Sequence, residues 1–356
     1  MQVQRLFLVL GFILIPVSAC AVPPTPSLPI AAPTLIAATP VPSQSPSPAT
    51  TLLPTYTLTT TPYCGPCSTA TPLPSQTLLI SPTAALDQAR VKTEKVDVWD
   101  DPANENSYWH RQTQLITGEP VVVIAEKGEW DQIIVPFQPS SKDERGYPGW
   151  VRKTGLVNGR DQAENILVVT ARTSLAYANL NQTGAPIMRL YFDTRIPYLS
   201  SQADFIQVLL PDRREAWLRA RDVTVLNQNN QAAAPMHPSL LALARSLAGA
   251  PYLWGGTTSD SYDCSGFTYR LFHTAGIILA RDANDQVLQG TLVSFDQKRA
   301  GDLIFYSDVS GGPVTHVGLY MGNSQIIDAN PWLGLTIHAV SDMQKWYVFY
   351  SVRRFF

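Results

Sequence analysis

Three observations predict an α+β chain in which two small all-β units precede a mixed domain. From Val91 to Leu226 the sequence runs in short β-type stretches separated by turn residues, from Ser239 to Gly276 it shows two helical patterns, and from Leu303 to Val352 it returns to strands. Helices followed by a run of strands indicate an α+β domain with an antiparallel sheet. The 356 residues leave room for two or three domains, and a hydrophobic share of 45% supplies ordinary cores. A formal net charge of −2 with no long basic run leaves no electrostatic footprint for nucleic acid, which is not expected as a partner.

The chain opens with one charge, Arg5, then an apolar run from Leu6 to Val17, then Ser18 and Ala19 before Cys20. The run is shorter than the ~20 apolar residues a spanning helix needs, so residues 1–20 read as a secretory signal. Val17-Ser18-Ala19-Cys20 resembles a bacterial lipobox, which implies lipidation at Cys20 and an exported cell-envelope lipoprotein, anchored to the membrane and facing the wall. A plain cleaved signal with a chance cysteine is the alternative. Residues 21–86 read as a linker: no charge falls between Arg5 and Asp87, and 15 of the chain's 29 prolines lie there among many Ser and Thr. Proline-rich chain stays extended and buries no core, so it acts as a spacer. Cys64-Gly65-Pro66-Cys67 has the spacing of a redox pair without the strand-to-helix setting such a pair needs, and reads as a local disulfide or two idle thiols.

Residues 87–160 and 161–227 read as the two β units. Their strands include Pro120 to Ala125, Asp131 to Val135, Asn165 to Thr170 and Phe205 to Leu210, punctuated by turns at Asn158-Gly159 and Asn181 to Gly184. Trp150-Val151 and Trp217-Leu218 recur near the end of each unit, a degenerate repeat that resembles tandem bacterial SH3-like domains. A polar connector at 228–236 leads to the last domain, 237–356. Its first helix is expected over Ser239 to Ala248, with apolar residues at 240, 241, 244, 247 and 248, Ser239 as its cap and Gly249 as its stop. The second helix is expected from Cys264 to a stop at Gly276. Strands are expected at Leu303 to Tyr306, His316 to Met321, Gln325 to Ile327, Thr336 to Val340 and Trp346 to Val352.

Two residues stand out chemically. Cys264 begins a helix, where unpaired amides and the helix dipole favour a negatively charged sulfur. A nucleophilic cysteine also needs a base brought from elsewhere in the chain, and His316, opening a strand beside small Gly318, is the best placed of the five histidines. His110, His237, His273 and His338 show no metal-ligand spacing, so neither a metal nor another cofactor is expected.

Tyr252-Leu253-Trp254-Gly255-Gly256, Asp263-Cys264-Ser265-Gly266-Phe267, Gly301-Asp302-Leu303-Ile304-Phe305 and His316-Val317-Gly318-Leu319-Tyr320 occur in the order found in the NlpC/P60 family of cell-wall cysteine peptidases. The resemblance covers roughly residues 237–356. It implies a papain-like fold with Cys264 as nucleophile, His316 as general base, a third polar residue orienting that base and Tyr252 at the oxyanion site. The third position falls on Asp328, where many relatives have His; a carboxylate there accepts from the imidazole and favours its charged form. Asn330 is a weaker candidate for the same role.

A narrower resemblance reaches into the first β unit. Ile278-Leu279-Ala280-Arg281-Asp282-Ala283, Gln112-Thr113-Gln114 with Gly118-Glu119, and Gly146-Tyr147-Pro148-Gly149-Trp150 are similar to segments of SH3-containing γ-D-glutamyl-diamino acid dipeptidyl-peptidases. It implies that Glu119 and Tyr147 hold the free amine of an amino-terminal L-Ala, while Asp263, Ser265, Asp282 and the backbone of Ala283 hold γ-D-Glu. Asp263 and Asp282 also read as helix-capping and turn residues. The implied partners are peptidoglycan stem peptides, split between γ-D-Glu and a diamino acid, either lysine or diaminopimelate. The rival readings are an endopeptidase on intact wall and a wall-binding lipoprotein with a non-catalytic peptidase domain.

Overall fold

Along Tyr147–Arg152 buried and less buried residues alternate, as the two-residue period of a strand requires, and Glu215–Arg219 repeats the pattern in the second β unit. This explains the recurring pair: Val151 and Leu218 point into their cores, while Trp150 and Trp217 lie half-buried on the other face. In both units the strand passes through a 3-10 turn, Lys153–Gly155 or Ala220–Asp222, into a closing strand, Leu156–Asn158 or Val223–Leu226.

The computed structural model describes residues 88–159, 165–226 and 237–356. The signal segment with Cys20, the linker with Cys64 and Cys67, and the 228–236 connector lie outside the described residues. Strands between Gln88 and Asn158 form one seven-stranded antiparallel sheet around Val91, Val98, Leu115, Ile133 and Val151. Strands between Ile166 and Leu226 form a five-stranded and a two-stranded sheet around Leu167, Val169, Leu190, Val208 and Leu218. Both are SH3-like β folds.

The last domain is papain-like. Its sheet runs, in spatial order, Thr291–Val293, Val348–Arg354, Leu303–Ser307, His316–Gly322, Gln325–Asn330, Gly334–Ala339, with every neighbouring pair antiparallel. Helix α1 spans His237–Leu247, two residues ahead of the expected start, so Ser239 lies within its first turn. Helix α2 spans Cys264–Thr274, and α3, not foreseen, spans Ala283–Gln286. The last strand begins at Val348 because Trp346 and Tyr347 belong to the turn that ends the Val340–Lys345 3-10 helix.

Helix α2 is buried on both faces. Phe267, Leu271 and Phe272 pack with Phe305, Val317, Leu319 and Ile327 of the sheet, each fully buried side chain contributing about 1.5–3 kcal/mol. The opposite face is buried as well, but against the β units, and it is polar: Tyr269 donates to the Phe137 carbonyl at 3.1 Å, and Arg270 has no exposed surface. A helix covered on all sides has to satisfy each polar group it carries into that interface.

Candidate active site

Cys264 is the first residue of α2, 8% exposed and in no disulfide. The turn before it is held by Asp263, which caps the helix by accepting from the Gly266 amide at 2.6 Å. Asp263 is in turn gripped by Arg281, whose Nη2 donates to its Oδ2 at 2.6 Å and whose Nη1 donates to Ser265 Oγ at 3.0 Å. Arg281 Nε also donates to Thr113 Oγ1 at 2.9 Å, tying the turn before Cys264 to the first β unit. Asp263 is thus a helix cap as well as a cleft residue. Arg281, which the sequence reading passed over inside a segment it had singled out, is what holds it.

His316 opens its strand and is 3% exposed. Its Nε2 lies 2.6 Å from Asp328 Oδ2 on the neighbouring strand. The two meet because Gly318 leaves room: a Cβ there would sit 3.1 Å from Asp328 Cβ and 2.6 Å from Ile326 Cδ1. Burial pushes the Asp328 carboxyl up, but hydrogen bonds from His316 and His338 outweigh it and hold it down at about 2. An ionised carboxylate only accepts, so both imidazoles present N–H to it, and Nδ1 of His316 is left for the sulfur. Burial opposes charge on His316, but Cys264 and then Asp328 outweigh it and push its pKa up to about 10. The arrangement is a sulfur, an imidazole held charged and a buried carboxylate in series.

Two residues of this array were not foreseen. His338, read from sequence only as a late-strand histidine, donates from Nε2 to the second oxygen of Asp328. Antiparallel pairing across the Asn330–Gly334 turn was the available signal, since Asp328 pairs with Thr336 and His338 lies two residues further along the same strand. Tyr347 stacks flat on His316, with ring centroids 4.4 Å apart and planes at 12°. Nothing in its local sequence marks it. Asn330 donates to Asp328 Oδ2 at 3.3 Å, so it supports the carboxylate that it had been weighed against.

Of these residues, Cys264, His316 and Tyr347 line a cleft of about 540 Å³, while Asp328 is wholly buried. Tyr252 lies in the cleft wall, where burial and then neighbouring Cys264 hold the phenol well above its ordinary pKa, so it remains a proton donor. Asp263, Ser265, Asp282 and Ala283 line it too. The far wall belongs to the first β unit, with Trp109, Gln112, Lys142 and Tyr147. Trp109 meets Trp254 edge-on at 5.2 Å, and Arg111 Nη1 donates to the Trp254 carbonyl at 3.3 Å. Gly255, at φ 74°, lets the backbones close up there, because a Cβ would lie 2.7 Å from the Arg111 carbonyl.

The expected Glu119–Tyr147 pair is not brought together. Tyr147 is in the cleft, its hydroxyl donating to the Asp282 carboxylate at 3.1 Å, and burial and then Asp282 hold it well above its ordinary pKa. Glu119 lines a separate cavity of about 340 Å³. Its carboxylate forms a two-pronged pair with Arg270 of α2, Oε2 to Nη2 at 2.8 Å, and also accepts from the Ile116 amide at 2.7 Å. The physical reason is that a wholly buried guanidinium requires a carboxylate, and the turn carrying Glu119 supplies it. Asp282 is the carboxylate that accompanies Tyr147.

Comparison with known proteins bears on these readings. The NlpC/P60 family model matches residues 249–354 and the YKFC SH3b2 domain model matches residues 169–225. The chain is 34% identical over 221 residues to the gamma-D-glutamyl-L-lysine dipeptidyl-peptidase of Bacillus cereus (strain ATCC 10987 / NRS 248), covering 61% of this chain and 66% of that protein. It is 34% identical over 232 residues to the protein of the same name from Bacillus subtilis (strain 168), covering 65% of this chain and 75% of that one. The solved structure of an NlpC/P60 family protein from Bacillus cereus ATCC 10987 superposes with a TM-score of 0.68 at 27% identity, over 75% of this chain and 99% of that one.

Proposed function

Because this chain belongs to the NlpC/P60 family of cysteine peptidases, we propose that it hydrolyses the bond between γ-D-Glu and the diamino acid of peptidoglycan stem peptides whose L-Ala carries a free amine. One observation carries the reading: the cleft that holds Cys264 and His316 is walled at one end by the first β unit, through Trp109, Lys142 and Tyr147. A wall there leaves space for a short amino-terminal piece and obstructs a substrate that continues beyond it. The names of the Bacillus relatives favour the same dipeptide release.

In this reading Cys264 sulfur attacks the γ-carbonyl carbon and a C–S bond forms. The oxyanion faces the Cys264 amide at the start of α2 and the Tyr252 hydroxyl. Charged His316 gives its proton to the leaving amine, the C–N bond breaks and a thioester remains. Water then loses a proton to His316 and attacks the thioester, releasing the γ-carboxylate and restoring the thiolate–imidazolium pair. Asp328 keeps the imidazole oriented and favours its charged form throughout, while Tyr347 fixes the ring plane. The D-Glu α-carboxylate end lies toward Ser265 and the Ala283 backbone, and the amine end toward Tyr147 and Asp282.

The test is mass spectrometry of L-Ala-γ-D-Glu-L-Lys, its diaminopimelate counterpart and both amino-acetylated forms, with a Cys264→Ala control. Cleavage of the free peptides in preference to the acetylated ones supports dipeptide release. Equal cleavage favours an endopeptidase on intact wall, and absence of Cys264-dependent cleavage favours a wall-binding protein. For location, the proposal is export and lipid anchoring through Cys20, supported by the Val17-Ser18-Ala19-Cys20 segment after an apolar run. Fatty-acid labelling that survives in the Cys20→Ala variant overturns it.

A further inference from the structure

Lys142 sits in the loop between the Trp130–Val135 and Tyr147–Arg152 strands, and its ammonium enters the cleft. There Nζ donates to the Tyr147 phenolic oxygen and, at 2.9 Å, to Gln112 Oε1, and it pairs with Asp282 Oδ2 at 3.3 Å. It also lies 4.2 Å from the centre of the Tyr147 ring. An ammonium has three protons to donate, and it has found three acceptors plus an aromatic face. Asp263, another carboxylate of the cleft, is already matched by Arg281.

The loop itself is fixed. The Ser141 amide donates to Asp285 Oδ2 at 2.8 Å, the Lys142 amide donates to Ser140 Oγ at 3.1 Å, and Asp143 is paired with Arg145. The Lys142 side chain, in contrast, is 41% exposed. A long, unbranched chain on a rigid base can therefore lift its ammonium into water without disturbing the fold.

We propose that Lys142 is the specificity-determining residue of this cleft: its ammonium occupies the subsite for a substrate's amino terminus, and a free amine has to displace it. The inference rests on the reading that the amine end of a stem peptide lies against Tyr147 and Asp282. Two cations share one carboxylate poorly, so Lys142 lowers the preference for a free over an acylated amino terminus. An acylated nitrogen brings no charge to that subsite, and its binding is not subject to the same displacement.

The experiment is calorimetric binding of L-Ala-γ-D-Glu and its N-acetyl derivative to the full chain and to Lys142→Met and Lys142→Arg variants. Lys142→Met is expected to raise the ratio of free to acetylated affinity about fivefold or more, the scale of one part-exposed charged hydrogen bond. Lys142→Arg, keeping the cation, stays within about twofold of the parent ratio on the same scale. A Lys142→Met ratio that is unchanged or lower overturns the proposal. If the tripeptide is cleaved but the ratio does not move, the role of Lys142 falls and the proposed reaction stands. If the ratio rises but no Cys264-dependent cleavage occurs, the reaction falls and the subsite stands.

Discussion

Near the start of α2, through Cys264, His316 bonds Asp328 at 2.6 Å; near its end His273 bonds Asp193 at the same distance. Both aspartates have no exposed side-chain surface, and both carboxyls are held down at about 2 against the opposing effect of burial. The surroundings differ. His316 turns its other nitrogen to a sulfur in an open cleft. Asp193 lies 3.6 Å from Arg270, 3.4 Å from Arg195 and 3.2 Å from Thr274 Oγ1, in a junction where both β units meet the peptidase domain. A buried histidine–aspartate pair is therefore no mark of catalysis by itself. What the imidazole faces on its free side decides whether the pair orients a base or joins domains.

The largest effect that can break this comparison is on turnover. Asp328→Asn is expected to lower kcat roughly 10³ to 10⁴-fold, because the amide no longer favours the charged imidazole, whereas Asp193→Asn leaves kcat per folded molecule within about twofold. Similar losses in both variants, measured on the free tripeptide, remove the distinction. Next comes stability, read by urea unfolding. Asp193→Asn is expected to cost about 3–5 kcal/mol, since it takes the charge away from a group facing two guanidiniums and an imidazole in the interior.

A smaller effect appears in acid. Asp193 and Asp328 are lowered from 3.8 to about 2, so each contributes stability that is present above pH 3.8 and lost as pH falls toward 2. The contribution is on the order of 2 kcal/mol each, and unfolding midpoints of Asp193→Asn should change less between pH 4 and pH 2 than those of the parent. His316 has the opposite sign: raised from 6.5 to about 10, its contribution is complete below pH 6.5 and is lost as pH rises through 10. Activity should accordingly persist into alkali and decline near pH 10, and in Asp328→Asn the decline should move to lower pH.

The smallest effect sharpens the catalytic side. His338 shares the Asp328 carboxylate and draws on its charge, and that same carboxylate raises the pKa of His338, most through their hydrogen bond. His338→Gln is expected to change kcat by less than about tenfold and to shift the alkaline decline upward, as His316 is then the one imidazole that draws on Asp328. A shift downward would make His338 a support of the triad and not a competitor within it.

Cys264 and His316 were legible as a helix start and a strand opening whose surrounding motifs resemble the NlpC/P60 family, and Asp328 was legible only through that resemblance. The SH3-like units were legible through the alternation that puts Val151 and Leu218 inward. Glu119 was misplaced, and His338, Tyr347, Arg281 and Lys142 were passed over, for a common reason. A sequence position states which charges and rings a residue can offer, and short-range rules of strand and helix state where it points along its own element. Which cation a carboxylate meets is decided by the docking of separate domains around α2. Burial there makes an unpaired charge so costly that Glu119 goes to Arg270, leaving Asp282, Tyr147 and Lys142 to shape the end of the cleft.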